Sequence, residues 1–195
     1  MNCSQKDELI NILNDNLADL KHPVHVTHLA EKLFDELKQL HNFSGNEKEL
    51  LLHAAMLHDT GFLISVKGHH KHSADFILNL EIPGINANDK MIIANIARYH
   101  RKSLPSTKHE MYKNLSDDDK KVVSSLAAIL RIADGLDRTH LSLIKDIKVK
   151  IEDNTVVINC LSSRRFLPEE EAALKKSDLF EQIFNKRVII DWQKI

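Results

Sequence analysis

Hydrophobic residues recur at the three- and four-residue spacing of an α-helix from the amino terminus to about residue 134. Polar segments, prolines or capping residues separate the periodic stretches. Asn88 and Asp89 are predicted to cap one helix, and Ser116 with three following aspartates is predicted to begin another. The helices predicted from this pattern span about residues 5–20, 23–40, 46–58, 69–80, 89–100 and 117–134. We predict loops at 62–68 and 101–116, of which the second flanks a pocket.

The spacing of hydrophobic residues changes from helical to alternating after residue 144. Residues 147–151 and 156–160 are predicted strands, joined by a turn at Asp153-Asn154. Pro168 begins a helical stretch, a second helix begins at Ser177, and residues 187–192 form a last strand. The fold class is therefore mainly α, with a helical domain over 1–143 and a small α+β unit over 144–195. Too few strands are present for an independent sandwich, so we expect this unit to pack on the helical domain.

Composition narrows the functional classes. The chain has 195 residues and a formal charge of -1, so no global field attracts nucleic acid or an anionic membrane. The two cysteines, Cys3 and Cys160, lie far apart without metal-type spacing, which is typical of a reducing compartment. No signal peptide or membrane-spanning run is visible, and we expect a cytoplasmic protein.

Histidine is unusually frequent, with 12 residues against ten aromatic residues, namely seven Phe, two Tyr and one Trp. His25, His58, His100 and Asp134 each extend the apolar face of a different predicted helix, so all four should point inward. Asp59 follows His58 at a helix C-terminus, where the macrodipole disfavours a carboxylate unless a cation compensates. Asp59 alone is also compatible with a simple turn into Thr60-Gly61.

For Asp134 and the remaining histidines, the sequence allows more than one interpretation. Asp134 needs a partner if buried, either a metal or a base such as Arg131 or Arg138. His69, His70 and His72 cluster at a helix start, where neutral imidazole is favoured, and at least one should be only solvated. His41, His109 and His140 lie among polar neighbours and are assigned no role.

Several inward imidazoles and carboxylates without thiolates are typical of a hydrolytic metal site with open water positions. The candidate ions are Mn²⁺, Fe²⁺, Zn²⁺, Mg²⁺ and Ni²⁺, and one or two of them would bind. With two ions, Asp59 would be the bridge between them.

The order His25, His58-Asp59, Asp134 resembles the His, His-Asp, Asp signature of the HD-domain metal-dependent phosphohydrolases. The segments 68–73 and 97–101 and the ββ-helix-β tail more closely resemble the C-terminal half of the Ppx/GppA exopolyphosphatase and guanosine pentaphosphatase proteins. The resemblance covers nearly the whole chain. It implies an HD-type helical bundle.

The HD resemblance also implies roles for individual residues. His25, His58, Asp59 and Asp134 would hold a first metal, and His72 (or His70) with His100 a second. Apart from the resemblance, our own hypothesis is that Lys71, Arg101, Arg131 or Arg138 would hold phosphate oxygens. The residues assigned to catalysis are His58, Asp59, Lys71 and Arg138. In Ppx/GppA proteins the known hydrolytic site lies in actin-like domains with Gly-rich phosphate loops. None of the five glycines here forms such a loop, so that mechanism does not transfer.

The leading hypothesis is a divalent-metal-dependent phosphohydrolase that acts on a nucleotide or other small phosphorylated substrate through metal-activated water. The alternative is a non-catalytic module that binds polyphosphate or guanosine phosphates, or docks on a partner. Nucleic acid is not an expected partner, because the chain is nearly neutral and no basic patch is interleaved with aromatic residues. A membrane is not expected either, because no apolar run is long enough to span one. The oligomeric state is open, with a homodimer as one option.

Overall fold

The computed structural model describes residues 9–11, 13 and 20–194, which are mainly α-helical with a small sheet near the carboxyl end, as the sequence predicts. Residues 9–11 and 13 are helical, and most of the predicted helix 5–20 lies outside the described residues. The helices are α1 (Lys21–Glu36), α2 (Lys38–His41), α3 (Gly45–Leu57), α4 (His69–Asn79), α5 (Ala87–Arg98), α6 (Glu110–Lys113), α7 (Asp117–Gly135), α8 (Leu167–Lys175) and α9 (Asp178–Phe184). The strands are β1 (Asp146–Ile151), β2 (Thr155–Ser162) and β3 (Arg187–Lys194).

A short 3-10 helix, Thr60–Leu63, begins directly after Asp59 and enters the segment predicted as a loop, and α6 lies within the other predicted loop. None of the helices in the described part of the chain is long and apolar enough to cross a membrane.

Helix α7 is the centre of the helical bundle. Every residue from Val123 to Gly135 is buried, and the helix contacts α1, α3, α5, α8 and α9. Its start is capped as predicted, because the Ser116 hydroxyl accepts a hydrogen bond from the amide of Asp119 at 3.1 Å. Because α7 also contacts α8 and α9, its carboxyl end lies where the bundle meets the C-terminal unit.

Two predicted helix starts are wrong by a few residues. Helix α1 begins at Lys21 and not at Pro23, so His22 belongs to its first turn. Helix α5 begins at Ala87, because the Asn86 side chain accepts a hydrogen bond from the amide of Asp89 at 2.9 Å. Asn86 is thus the capping residue, in place of the predicted Asn88 and Asp89.

The sheet has the order β1-β2-β3, with β1 antiparallel and β3 parallel to β2. Alternate residues of β2, including Val156, Ile158 and Cys160, are buried, as expected for strands with one face on a core. Helices α8 and α9 provide the crossover that the parallel pair requires.

The C-terminal unit packs on the helical bundle, as predicted. Glu36 of α1 accepts a hydrogen bond from the amide of Val149 in β1 at 2.9 Å. Gly135 of α7 lies against the backbone of Ala173 in α8, so closely that a Cβ on Gly135 would be 2.6 Å from the Ala173 Cα. This backbone contact fixes the position of the residues that end α8.

Gly135→Ala should lower the free energy of unfolding by about 1–3 kcal/mol, because overpacking a fixed backbone contact costs that much. The higher helix propensity of alanine would offset up to about 1 kcal/mol of the loss. Urea unfolding measures the change. Gly45→Ala is the matched control, because nothing lies within 4 Å of a Cβ there. Equal stability of the two variants would contradict the prediction.

Candidate functional site

Six side chains that can bind metal meet at the end of α7, and each is at most 8% exposed. Each comes from the end of an element, so the backbone termini of several helices converge on one place. The six are His22 in the first turn of α1, His58 and Asp59 after α3, His69 at the start of α4, His100 just after α5, and Asp134 in the last turn of α7.

The first group consists of His22, His58 and Asp134, whose ligand atoms lie within 4.8 Å of one another. His58 donates from Nδ1 to the Ala55 carbonyl at 2.7 Å, and His22 donates from Nδ1 to the Asp137 carboxylate at 2.8 Å. These bonds turn both Nε2 atoms toward Asp134, at 3.9 and 3.5 Å from its Oδ1. Both Nε2 atoms are buried and have no hydrogen-bond partner among the described residues. Buried polar atoms without partners are rare, so this group is chemically suited to a metal ion.

The second group consists of Asp59, His69 and His100, which are equally close together. His100 donates from Nδ1 to the Ala97 carbonyl at 2.6 Å, and His69 donates from Nδ1 to the Val66 carbonyl at 3.3 Å. Their Nε2 atoms therefore carry lone pairs, and these two atoms are 3.4 Å apart. Two acceptors cannot bond to each other, so each of these lone pairs needs a donor or a cation.

Asp59 connects the two groups. Its Oδ2 lies 3.5 Å from Nε2 of His22 and 3.4 Å from Nε2 of His58. Its Oδ1 lies 3.3 Å from Nε2 of His69 and 3.7 Å from Nε2 of His100. Each carboxylate oxygen thus faces one group, which is the arrangement that a bridging ligand needs.

The buried carboxylates control the protonation of His22. Burial lowers the pKa of His22, but the hydrogen bond to Asp137 and the negative charges of Asp134 and Asp59 outweigh burial and raise this pKa to about 9. Burial by itself would raise the pKa of Asp134. The positive charge of Lys176 and the neighbouring histidines have the larger effect, so the pKa of Asp134 lies well below its usual value. His22 is therefore protonated at neutral pH unless another cation takes its place.

A cleft of about 490 Å³ opens onto these groups, and Asp59, His69, His100 and Asp134 form part of its lining. Its basic residues come from both units of the chain. They are Arg101, Lys102, Arg131, Arg138, Lys175 and Lys176. The chain is nearly neutral overall, so this concentration of positive charge makes the cleft suited to phosphate.

The structure brings His58, Asp59, His100 and Asp134 together but leaves His25 outside both groups. His25 is only half-buried, and His22 occupies the corresponding position. The signal was present in the sequence, because His22 precedes the buried Val26 and Leu29 by four and seven residues. Placing the helix start at Pro23 removed His22 from that stripe.

Of the three histidines at the start of α4, His69 belongs to the second group. His70 and His72, which the resemblance implied as ligands, do not belong to it. His70 is buried behind it, and burial, with nearby positive charges, lowers its pKa to about 4. His72 is half-buried.

The predicted basic residues have different positions. Arg138 lines the cleft, whereas Lys71 is exposed and lies outside the cleft lining. Arg131 lines the cleft but donates to Asp178 at 2.7 Å and to the Tyr99 carbonyl at 3.1 Å. Arg131 is therefore held in place as a structural link between α7 and the C-terminal unit.

Asp134 is paired with Lys176, and with neither Arg131 nor Arg138. Sequence reasoning missed Lys176, since it lies 42 residues away in the other unit and has no periodic signal. It also missed Asp137, which orients His22, and His140, whose ring stacks on His22 at a centroid distance of 3.7 Å.

A family model for domain III of the Ppx/GppA phosphatases matches residues 9–182. The chain belongs to the Ppx/GppA domain III family. The matched region includes all six ligand-type residues and Lys176, so the centre described above lies wholly within domain III.

Two curated relatives carry the name guanosine-5'-triphosphate,3'-diphosphate pyrophosphatase. The protein of Pseudoalteromonas atlantica (strain T6c / ATCC BAA-1087) is 26% identical over 159 residues, which are 78% of this chain and 31% of the relative. The protein of Pseudoalteromonas translucida (strain TAC 125) is 41% identical over 59 residues, which are 30% of this chain and 12% of the relative. This domain III chain thus corresponds to less than a third of either relative.

Proposed function

We propose that this chain is a divalent-metal-dependent phosphohydrolase of the HD type that acts on a nucleotide or other small phosphorylated substrate. The observation that carries the proposal is Asp59, which at the base of a basic cleft turns one oxygen to the buried His22, His58 and Asp134 and the other to the histidine pair of the second group. Phosphatase-related chemistry is also in keeping with the Ppx/GppA domain III family.

The ligand groups contain imidazole and carboxylate and no thiolate, a set compatible with Mn²⁺, Fe²⁺, Zn²⁺, Mg²⁺ or Ni²⁺. His22, His58 and Asp134 would hold one ion, His69 and His100 a second, and Asp59 would be shared. Such ions, when bound, lower the pKa of water and neutralise phosphoryl oxygens.

The chain's own residues would bind and orient the substrate. Arg101, Lys102 and Arg138 reach the cleft from the helical bundle. Charge-assisted hydrogen bonds from these groups would hold the phosphate in one orientation above Asp59. Asp137 is a positioning residue, since its bond to Nδ1 fixes the tautomer of His22 that presents a lone pair at Nε2.

A phosphate-binding module without catalysis is the second candidate, because the match covers only 31% of a relative named as a pyrophosphatase. The same basic cleft would bind polyphosphate or guanosine phosphates. The two candidates differ in whether phosphate is released and in whether metal is needed.

The test begins with elemental analysis of the purified protein, followed by a panel of nucleotides and phosphate esters assayed with each of the five ions. We expect phosphate release that disappears on chelation and returns when one ion is added back. Retained phosphate binding after chelation, with no release from any substrate, would favour the binding module instead.

A further inference from the structure

The two ligand groups differ in what their ring nitrogens face. In the first group, Nε2 of His22 and of His58 meet no hydrogen-bond donor in the described part of the chain. In the second group, Nη1 of Arg101 lies 3.2 Å from Nε2 of His69. No protein donor thus occupies the ring Nε2 atoms of the first group, whereas a guanidinium lies against one ligand atom of the second.

The direction of the Arg101–His69 bond follows from the partners of the ring. The Val66 carbonyl can only accept, so Nδ1 of His69 carries the ring proton and Nε2 has the lone pair. A guanidinium can only donate, so Arg101 donates to that lone pair. This is the same lone pair that a metal ion would need from His69.

Arg101 also lines the cleft, where its half-buried side chain is long enough to reach a bound phosphate. Bidentate bonds from guanidinium to a phosphate dianion are stronger than a single bond to a neutral imidazole. A phosphate in the cleft would therefore draw Arg101 away from His69.

We propose that Arg101 makes the two metal positions unequal and couples the second one to phosphate. An ion can enter the first group without displacing a side chain from a ring Nε2, whereas the second group takes an ion well only after Arg101 turns to a phosphate group. This inference rests on the proposed function, because it assumes that both groups bind metal. By linkage, phosphate and the second ion each strengthen the binding of the other by the same factor.

The test is calorimetric titration of chelator-treated protein with Mn²⁺, with and without inorganic phosphate. For the wild type without phosphate, we expect a second ion that binds at least about tenfold more weakly than the first, and about a tenfold gain at the second position when phosphate is present. For Arg101→Ala, the second ion should bind tightly in both conditions, and the gain from phosphate should be lost.

Lys175→Gln is the matched control, because it removes one positive charge from the lining of the same cleft without a bond to an imidazole. In Lys175→Gln, the second Mn²⁺ should bind as weakly as in the wild type, and phosphate should strengthen its binding as it does in the wild type. Circular dichroism checks that each variant is folded.

Two equal positions in the wild type, or a second position unchanged by Arg101→Ala, would overturn this inference while leaving the proposed function intact. Failure of every protein to bind Mn²⁺, and each of the other four ions in the same titration, would overturn both. If Arg101→Ala and Lys175→Gln both strengthened binding of the second Mn²⁺ by the same factor relative to the wild type, the effect would come from the general charge of the cleft. That result would also overturn the role of Arg101.

Discussion

Asp59→Ala is expected to remove metal from both ligand groups and to abolish phosphate release. Each Asp59 oxygen lies within 3.7 Å of the Nε2 atoms of one histidine pair, so the substitution takes one carboxylate oxygen from each group. Metal ions contribute several kcal/mol of charge stabilisation, and each factor of ten in rate corresponds to about 1.4 kcal/mol. Turnover should therefore fall at least about a hundredfold. Elemental analysis and phosphate-release assays on the same preparation measure the two effects.

Asp75→Ala is a suitable control for Asp59→Ala, because Asp75 is an exposed carboxylate on α4 outside the cleft lining. It should retain both metal and turnover. Asp59→Asn gives an isosteric second variant if the alanine variant folds poorly. Undiminished turnover in a folded Asp59 variant would refute the catalytic proposal.

Gly61→Ala should damage both stability and the second ligand group. The Gly61 amide donates to the Ser73 hydroxyl at 2.8 Å, and this residue lies directly against the first turn of α4. A Cβ on Gly61 would overlap the His69 carbonyl oxygen and lie 2.5 Å from the Ser73 amide nitrogen. Backbone atoms of a helix cannot give way as a flexible side chain can, so α4 would have to move and take His69 with it. The expected loss of unfolding free energy is about 1–3 kcal/mol.

The damage from Gly61→Ala should be selective for one metal position. Mn²⁺ titration should show the first ion retained, since His22, His58 and Asp134 come from other elements, and the second ion weakened. Gly45→Ala is again the control, as a Cβ there meets nothing within 4 Å. Loss of both ions in equal measure, with normal stability, would contradict this explanation.

The sequence predicted the helices and the inward side chains most reliably where an apolar stripe was long. The stripe of α7 from Val123 onward placed Asp134 in the core, and the run through Leu57 did the same for His58. Both residues are buried, since on a helix the spacing of apolar residues alone fixes which face points inward.

Spacing alone did not choose between neighbouring histidines, because it is compatible with an inward position for either one. Residues three apart on a helix differ by only about 60° in direction, so His22 and His25 lie on adjoining parts of one face. His69 and His72 have the same relation. Which member reaches the centre depends on where each helix begins and how it is tilted, and packing decides both.

By itself, then, the sequence determined a mainly α fold with a small carboxyl-terminal α+β unit, because hydrophobic periodicity is a local property of the chain. It also indicated histidine and aspartate as the residues of interest. Only the tertiary structure decided that Lys176 pairs with Asp134 and that Asp59 faces both His/Asp groups. These contacts join residues from separate elements, and their geometry follows from packing between helices, which no local pattern encodes.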